Sequence, residues 1–104
     1  MIYDEIRSML AAPPSGADAP SLDEIEETLT AGYANALALE AERLRLERRI
    51  AAVAAGLNTE SEAPSTAELA TLAQQLTVAD GDLAQLRALL SSLRVRANAV
   101  RATA

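Results

Sequence analysis

Along most of this chain, apolar residues recur at alternating steps of three and four. That spacing holds them on one stripe of an α-helix. Leu22, Ile25, Leu29, Gly32, Ala36, Leu39, Arg43, Leu46, Ile50 and Val53 keep the pattern, with one glycine and one arginine in it. Leu69, Leu72, Leu76, Ala79, Leu83, Leu86, Leu90, Leu93, Ala97 and Val100 repeat it with no polar member. Each run is a coiled-coil a/d seam of roughly five heptads. The pattern predicts two long helices, over about residues 21–56 and 65–101.

The ends of those helices carry local signals. Ser21 with Glu24, and Ser65 with Glu68, fit the capping box, in which a serine oxygen accepts a first-turn amide and a glutamate reaches back. Gly56 is placed to act as a left-handed C-cap, and residues 57–64 read as a polar turn. Gly81, between Asp80 and Asp82, costs ~1 kcal/mol relative to alanine in a helix interior. The heptad runs through it without a slip and sets it on the outward face, so the second helix is expected to be continuous. Two long helices of similar length joined by a short turn are expected to fold back antiparallel.

A shorter apolar pattern precedes them. Ile2, Ile6, Met9 and Leu10 mark an amphipathic helix within residues 1–12. Pro13-Pro14-Ser15-Gly16-Ala17-Asp18-Ala19-Pro20 reads as a linker, since proline and glycine oppose helix continuation. The expected organisation is a short N-terminal helix at 1–12, a linker at 13–20 and a helical hairpin at 21–104.

Setting Val53 against Leu69 fixes a register for the hairpin. Ile50 then faces Leu72, Leu46 faces Leu76, Leu39 faces Leu83 and Leu29 faces Leu93. Gly32 falls opposite the large Leu90, and Arg43 opposite the small Ala79, a large-against-small match that close packing favours. Arg43 in the seam either fixes the register or lays its stem on the seam and carries its charge to water beside Glu47. The acidic starts of the two helices, Asp23, Glu24, Glu26 and Glu27 in one and Glu68 in the other, would lie beside basic ends rich in Arg48, Arg49, Arg94 and Arg101. A parallel pair would set like charges together.

Composition reinforces the all-α reading. Among 104 residues there are 24 Ala and 16 Leu against two Tyr and no Phe or Trp, which favours helix over strand. All nine basic residues are Arg, consistent with a GC-rich bacterial source. With no His, Cys or Lys, the usual nucleophile triads, thiol and imidazole metal sites, Schiff-base chemistry and a P-loop lysine are excluded. Carboxylate pairs such as Glu24 with Glu27, or Glu40 with Glu47, could act as acid and base only if buried. Asp80-Gly81-Asp82 is a fragment of a calcium loop without its remaining ligands. The arginines at 43, 45, 48 and 49 are interleaved with Glu40, Glu42 and Glu47 and lack an aromatic platform, and the net charge is −6, so no nucleic-acid binding is expected. No catalytic, metal or cofactor residues are assigned, and no cofactor is expected. The opening residues lack the pattern of a signal peptide and no run would span a membrane, so a cytoplasmic protein without membrane insertion is expected.

Tyr33, Leu37 and Leu44 lie outside the seam at helical spacing, with Ala41 between them; Leu89 and Val95 add apolar surface on the second long helix. A hairpin alone has a thin core, so this strip should be covered. Candidate covers are a second copy, giving a bundle by oligomerisation, the chain's own residues 2–10, or another protein. The partner-binding residues expected are therefore Ile2, Ile6, Met9, Leu10, Tyr33, Leu37 and Leu44. The expected function is that of a non-enzymatic structural or adaptor protein that self-assembles, docks a larger protein through its N-terminal helix, or does both. The alternatives are a small acidic secreted hairpin effector and, third, a small all-α enzyme. Secreted hairpins of the Trp-x-Gly type are similar in length and acidity but carry a tryptophan that this chain lacks. The all-helical chorismate mutases open on a helix similar to residues 22–50 but need a lysine that is also missing.

Overall fold

The computed structural model describes residues 1–57 and 63–103. It contains α1 (Ile2–Ala11), α2 (Leu22–Leu57) and α3 (Ala63–Thr103), and no strand among the described residues. The long helices α2 and α3 pack as an antiparallel hairpin, with α1 as the short third helix. By its internal packing the chain divides into two units. One combines Met1–Leu37 with Ala84–Ala104, and the other is Ala38–Leu83.

In the first unit, α1 begins at Met1 with no side-chain cap and carries Asp4 and Glu5 in its first turn. It stops at Ala12, whose extended backbone (φ −70°, ψ 157°) is what a residue preceding proline adopts. The linker then turns at Gly16, which takes φ +99°, and Ala19 N–H donates to Gly16 C=O at 3.2 Å. Glycine bears this left-handed conformation without steric cost. Ser21 caps α2: Glu24 N–H donates to Ser21 Oγ at 3.1 Å. The glutamate does reach back, but to the serine hydroxyl, which donates to Glu24 Oε1 at 3.1 Å. Ile6, Ile25, Leu86, Leu93 and Ala97 are fully sealed from solvent, and Leu29, Ala36 and Leu90 are buried with them. Gly32 lies against Leu90, as the register predicts: a Cβ added there would overlap Leu90 Cδ2 and stand 3.6 Å from Ile6 Cδ1. Arg101 Nη2 donates to Glu26 Oε1 at 2.8 Å, so an acidic start does meet a basic end.

In the second unit, Leu46, Val53, Leu72 and Ala79 form the buried cluster, and Ile50, Leu69 and Leu76 pack against it half-buried. These are the seam residues of the predicted register. Arg49 Nε donates to Glu68 Oε1 at 3.0 Å, the other acidic-start to basic-end pair. Arg43 meets Glu47 on its own helix, as expected, and also Asp80 on the facing helix. Its Nε sits 2.7 Å from Asp80 Oδ1 and 3.2 Å from Glu47 Oε1, with the side chain 43% exposed. The Nε–H is directed at neither oxygen, so the contact is ionic, not a directed hydrogen bond. The aliphatic stem lies along the seam and the charge reaches the edge.

The helix ends differ from expectation in three places. Gly56 is not a left-handed cap: α2 continues through it to Leu57, and its φ is not positive. The second long helix begins at Ala63, two residues before Ser65, so Ser65 does not mark its start. Pro64 is tolerated there because first-turn amides have no partner within the helix. Helix α3 also runs two residues beyond 101, to Thr103. The rest of the expected turn, residues 58–62, lies outside the described residues. Gly81 sits within α3, which does not break.

Candidate protein-interaction surface

The seven residues expected to bind partners divide between the two units. In the first, α1 lies on the hairpin with Ile6 at 0% exposure, while Ile2, Met9 and Leu10 are half-buried. Ile6 is therefore a core residue of its own unit. Gly32 lies beside it, and a Cβ added there would stand 3.6 Å from Ile6 Cδ1. On α2, Tyr33 and Leu37 are one helical turn apart and open to solvent, Leu37 at 66%. In the second unit, Leu44 is exposed at 45%.

Arg96 holds the other end of α1. Its Nη1 donates to Leu10 C=O at 3.0 Å, and its Nη2 to Ala12 C=O and Pro13 C=O, each at 2.6 Å. The last carbonyls of a helix have no partner within it. Helix α1 has no basic residue in its own last turn, and α3 supplies one. The planar guanidinium fork suits several acceptors at once. The sequence shows Arg96 only as one of the basic residues near the end of α3. Nothing in its spacing reveals carbonyl acceptors more than 80 positions away.

Two further exposed side chains add apolar surface. Val95 is exposed in the first unit, as expected, whereas Leu89 is half-buried. Val78, exposed in the second unit, was not singled out by its spacing. It flanks an open groove with Leu39, Leu46 and Ala79, bordered by Glu42, Gln74, Gln75 and Asp82. Its position beside the seam residue Ala79 is the only sign of this in the sequence.

The polar clusters are surface features. Glu24, Glu27, Glu40 and Glu47 are all exposed, so none has the burial that acid–base work at neutral pH requires. Asp80, Gly81 and Asp82 lie in continuous helix, and Asp80 pairs with Arg43. Arg45 pairs with Glu42, and Arg49 with Glu68. Among the described residues, no three carboxylates stand close enough to hold a metal ion, and no helix is long and apolar enough to cross a membrane. What the surface offers chemically is apolar area at Tyr33, Leu37, Leu44, Val78 and Val95 among solvated ion pairs. In comparisons with known proteins, no protein-family model, no curated protein and no solved structure matches this chain.

Proposed function

We propose that this chain is a non-enzymatic structural or adaptor protein of the bacterial cytoplasm, acting through protein–protein contact and by assembling with itself. The observation that carries this reading is the exposure of Leu37 beside Tyr33 on α2. Burying a leucine side chain in full contributes about 1.5–3 kcal/mol, so adjacent exposed apolar side chains favour association. Leu44 supplies the same kind of surface in the second unit. The absence of His, Cys and Lys supports a binding role over a catalytic one. Docking a larger protein through the apolar face of α1 would require Ile6 to leave the core. The exposed residues of α2 therefore take the leading part in this proposal.

The test is a double substitution, Leu37→Glu with Leu44→Glu. Both side chains face solvent, so circular dichroism should show unchanged helicity. Light scattering should show the assembly reduced to monomer. An unchanged assembly mass would remove these residues from the interface.

A further inference from the structure

We propose that α1 is an exchangeable strap, and that the seat it fills in the first unit also accepts α1 from a second copy of this chain. The proposal deepens the self-assembly reading, on which it rests, by naming the segment that is traded. Two features make the seat specific. Gly32 packs against Leu90 with Ile6 alongside: a Cβ there would overlap Leu90 Cδ2 and stand 3.6 Å from Ile6 Cδ1, so a side chain longer than alanine's would crowd Ile6. Arg96 clasps the carbonyls of Leu10, Ala12 and Pro13 at the far end of the strap. The strap depends on both. It is ten residues long, has no side-chain cap at its start and no basic residue in its last turn. A helix of that length is marginal in water by itself. Off its seat, α1 therefore has no stable helical state of its own, and a second copy presents the same seat and clasp. The tether, with Pro13, Pro14 and Pro20 around the turn at Gly16, is a ready hinge for such an exchange. A short tether gives an effective concentration in the millimolar range, so the chain closes on itself when dilute and exchanges as it is concentrated.

Complementation between two full-length variants tests this. Ile6→Asp spoils the strap and leaves the seat vacant. Gly32→Leu fills the seat and leaves the strap free. At several hundred micromolar, each alone should sediment as a monomer, and the mixture should form a 1:1 complex. Adding Arg96→Ala to the Ile6→Asp chain should weaken that complex at least about tenfold, the loss expected for hydrogen bonds from a charged group. Circular dichroism first checks that both variants keep the hairpin, and Arg96→Glu, which removes the clasp from the chain's own seat, replaces Gly32→Leu if the latter unfolds. Should the mixture contain only monomers while the wild type sediments above monomer mass, exchange is overturned, and assembly through the exposed α2 residues, which both variants keep, falls with it. If the wild type is also monomeric, both readings fall. If either variant alone keeps the wild-type assembly mass, association does not use α1: exchange is overturned and assembly through the exposed α2 residues stands.

Discussion

In the first unit, Ile25, Leu86, Leu93 and Ala97 retain no exposed surface, while Leu29 and Ala36 keep 7–8%; in the second, Leu83 keeps 2% and Leu46, Val53 and Leu72 each keep 8–9%, so none of these reaches zero. Both sets follow the same three-and-four spacing on the same two helices. The difference is α1, which is part of the first unit only. A pair of helices buries its facing stripes but leaves their flanks to solvent, and sealing them takes a third element. The first unit has three helices around Ile6, and its open groove lies at the rim between α1, the linker and the start of α2, by Ser8, Ala17 and Glu24; in the second, the open groove reaches the seam itself at Leu39, Leu46 and Ala79. A regular seam therefore specifies which residues meet, while the number of layers over it decides how dry they become.

The strongest challenge to this contrast is a charge in the sealed seam. Leu86→Asp places a carboxylate at a position with no exposure and no partner charge, and the hairpin should unfold, because an isolated buried charge costs more than a small domain's whole stability. Full helicity by circular dichroism would show that the seam is not packed as described. A milder pair of substitutions measures the contrast directly. Leu93→Ala, in the sealed seam, should cost about 3–4 kcal/mol in urea unfolding, and Leu76→Ala, half-buried in the second unit, about half as much. Equal costs would mean that α1 adds nothing to the first unit's core. The smallest effect is a change of sign. Gly81→Ala meets open space and should stabilise by roughly 0.5–1 kcal/mol through helix propensity. Gly32→Ala drives a methyl into Leu90, a buried side chain with little room to move, and should destabilise by about 1 kcal/mol, overpacking outweighing propensity. Thermal melts of the two variants should move in opposite directions.

The seam was legible in the sequence because heptad spacing is a local property that each helix carries by itself. Pairing Gly32 with Leu90 followed from aligning two such patterns, and the contact between them is present. The home of α1 was not legible to the same degree. Ile2, Ile6, Met9 and Leu10 announce an apolar face but not what it covers, and the sequence left a partner's groove and the chain's own hairpin equally open. The deciding features are a missing side chain at Gly32 and a guanidinium at Arg96, and neither lies in the periodic pattern of α1. The helix ends depart from the local signals for a related reason. Gly56 and Ser65 are good terminators in isolation, but each residue only biases a choice that neighbouring helix formers can override. Of the candidate surface, the exposure of Tyr33, Leu37 and Leu44 followed from their places outside the seam. The exposure of Val78 carries no signal in the sequence, because a single residue has no period.

The clasp on α1 also sets a timetable. Arg96 is separated from its acceptors by 83 to 86 positions. A ribosome adding about 5–20 residues per second needs several seconds to cover that interval. Throughout it, α1 is already made while Leu90 and Arg96 are not, so the strap must wait with its apolar face uncovered. If α1 is exchanged as proposed, this interval is when it can first meet the seat of a finished neighbouring copy, before its own seat exists.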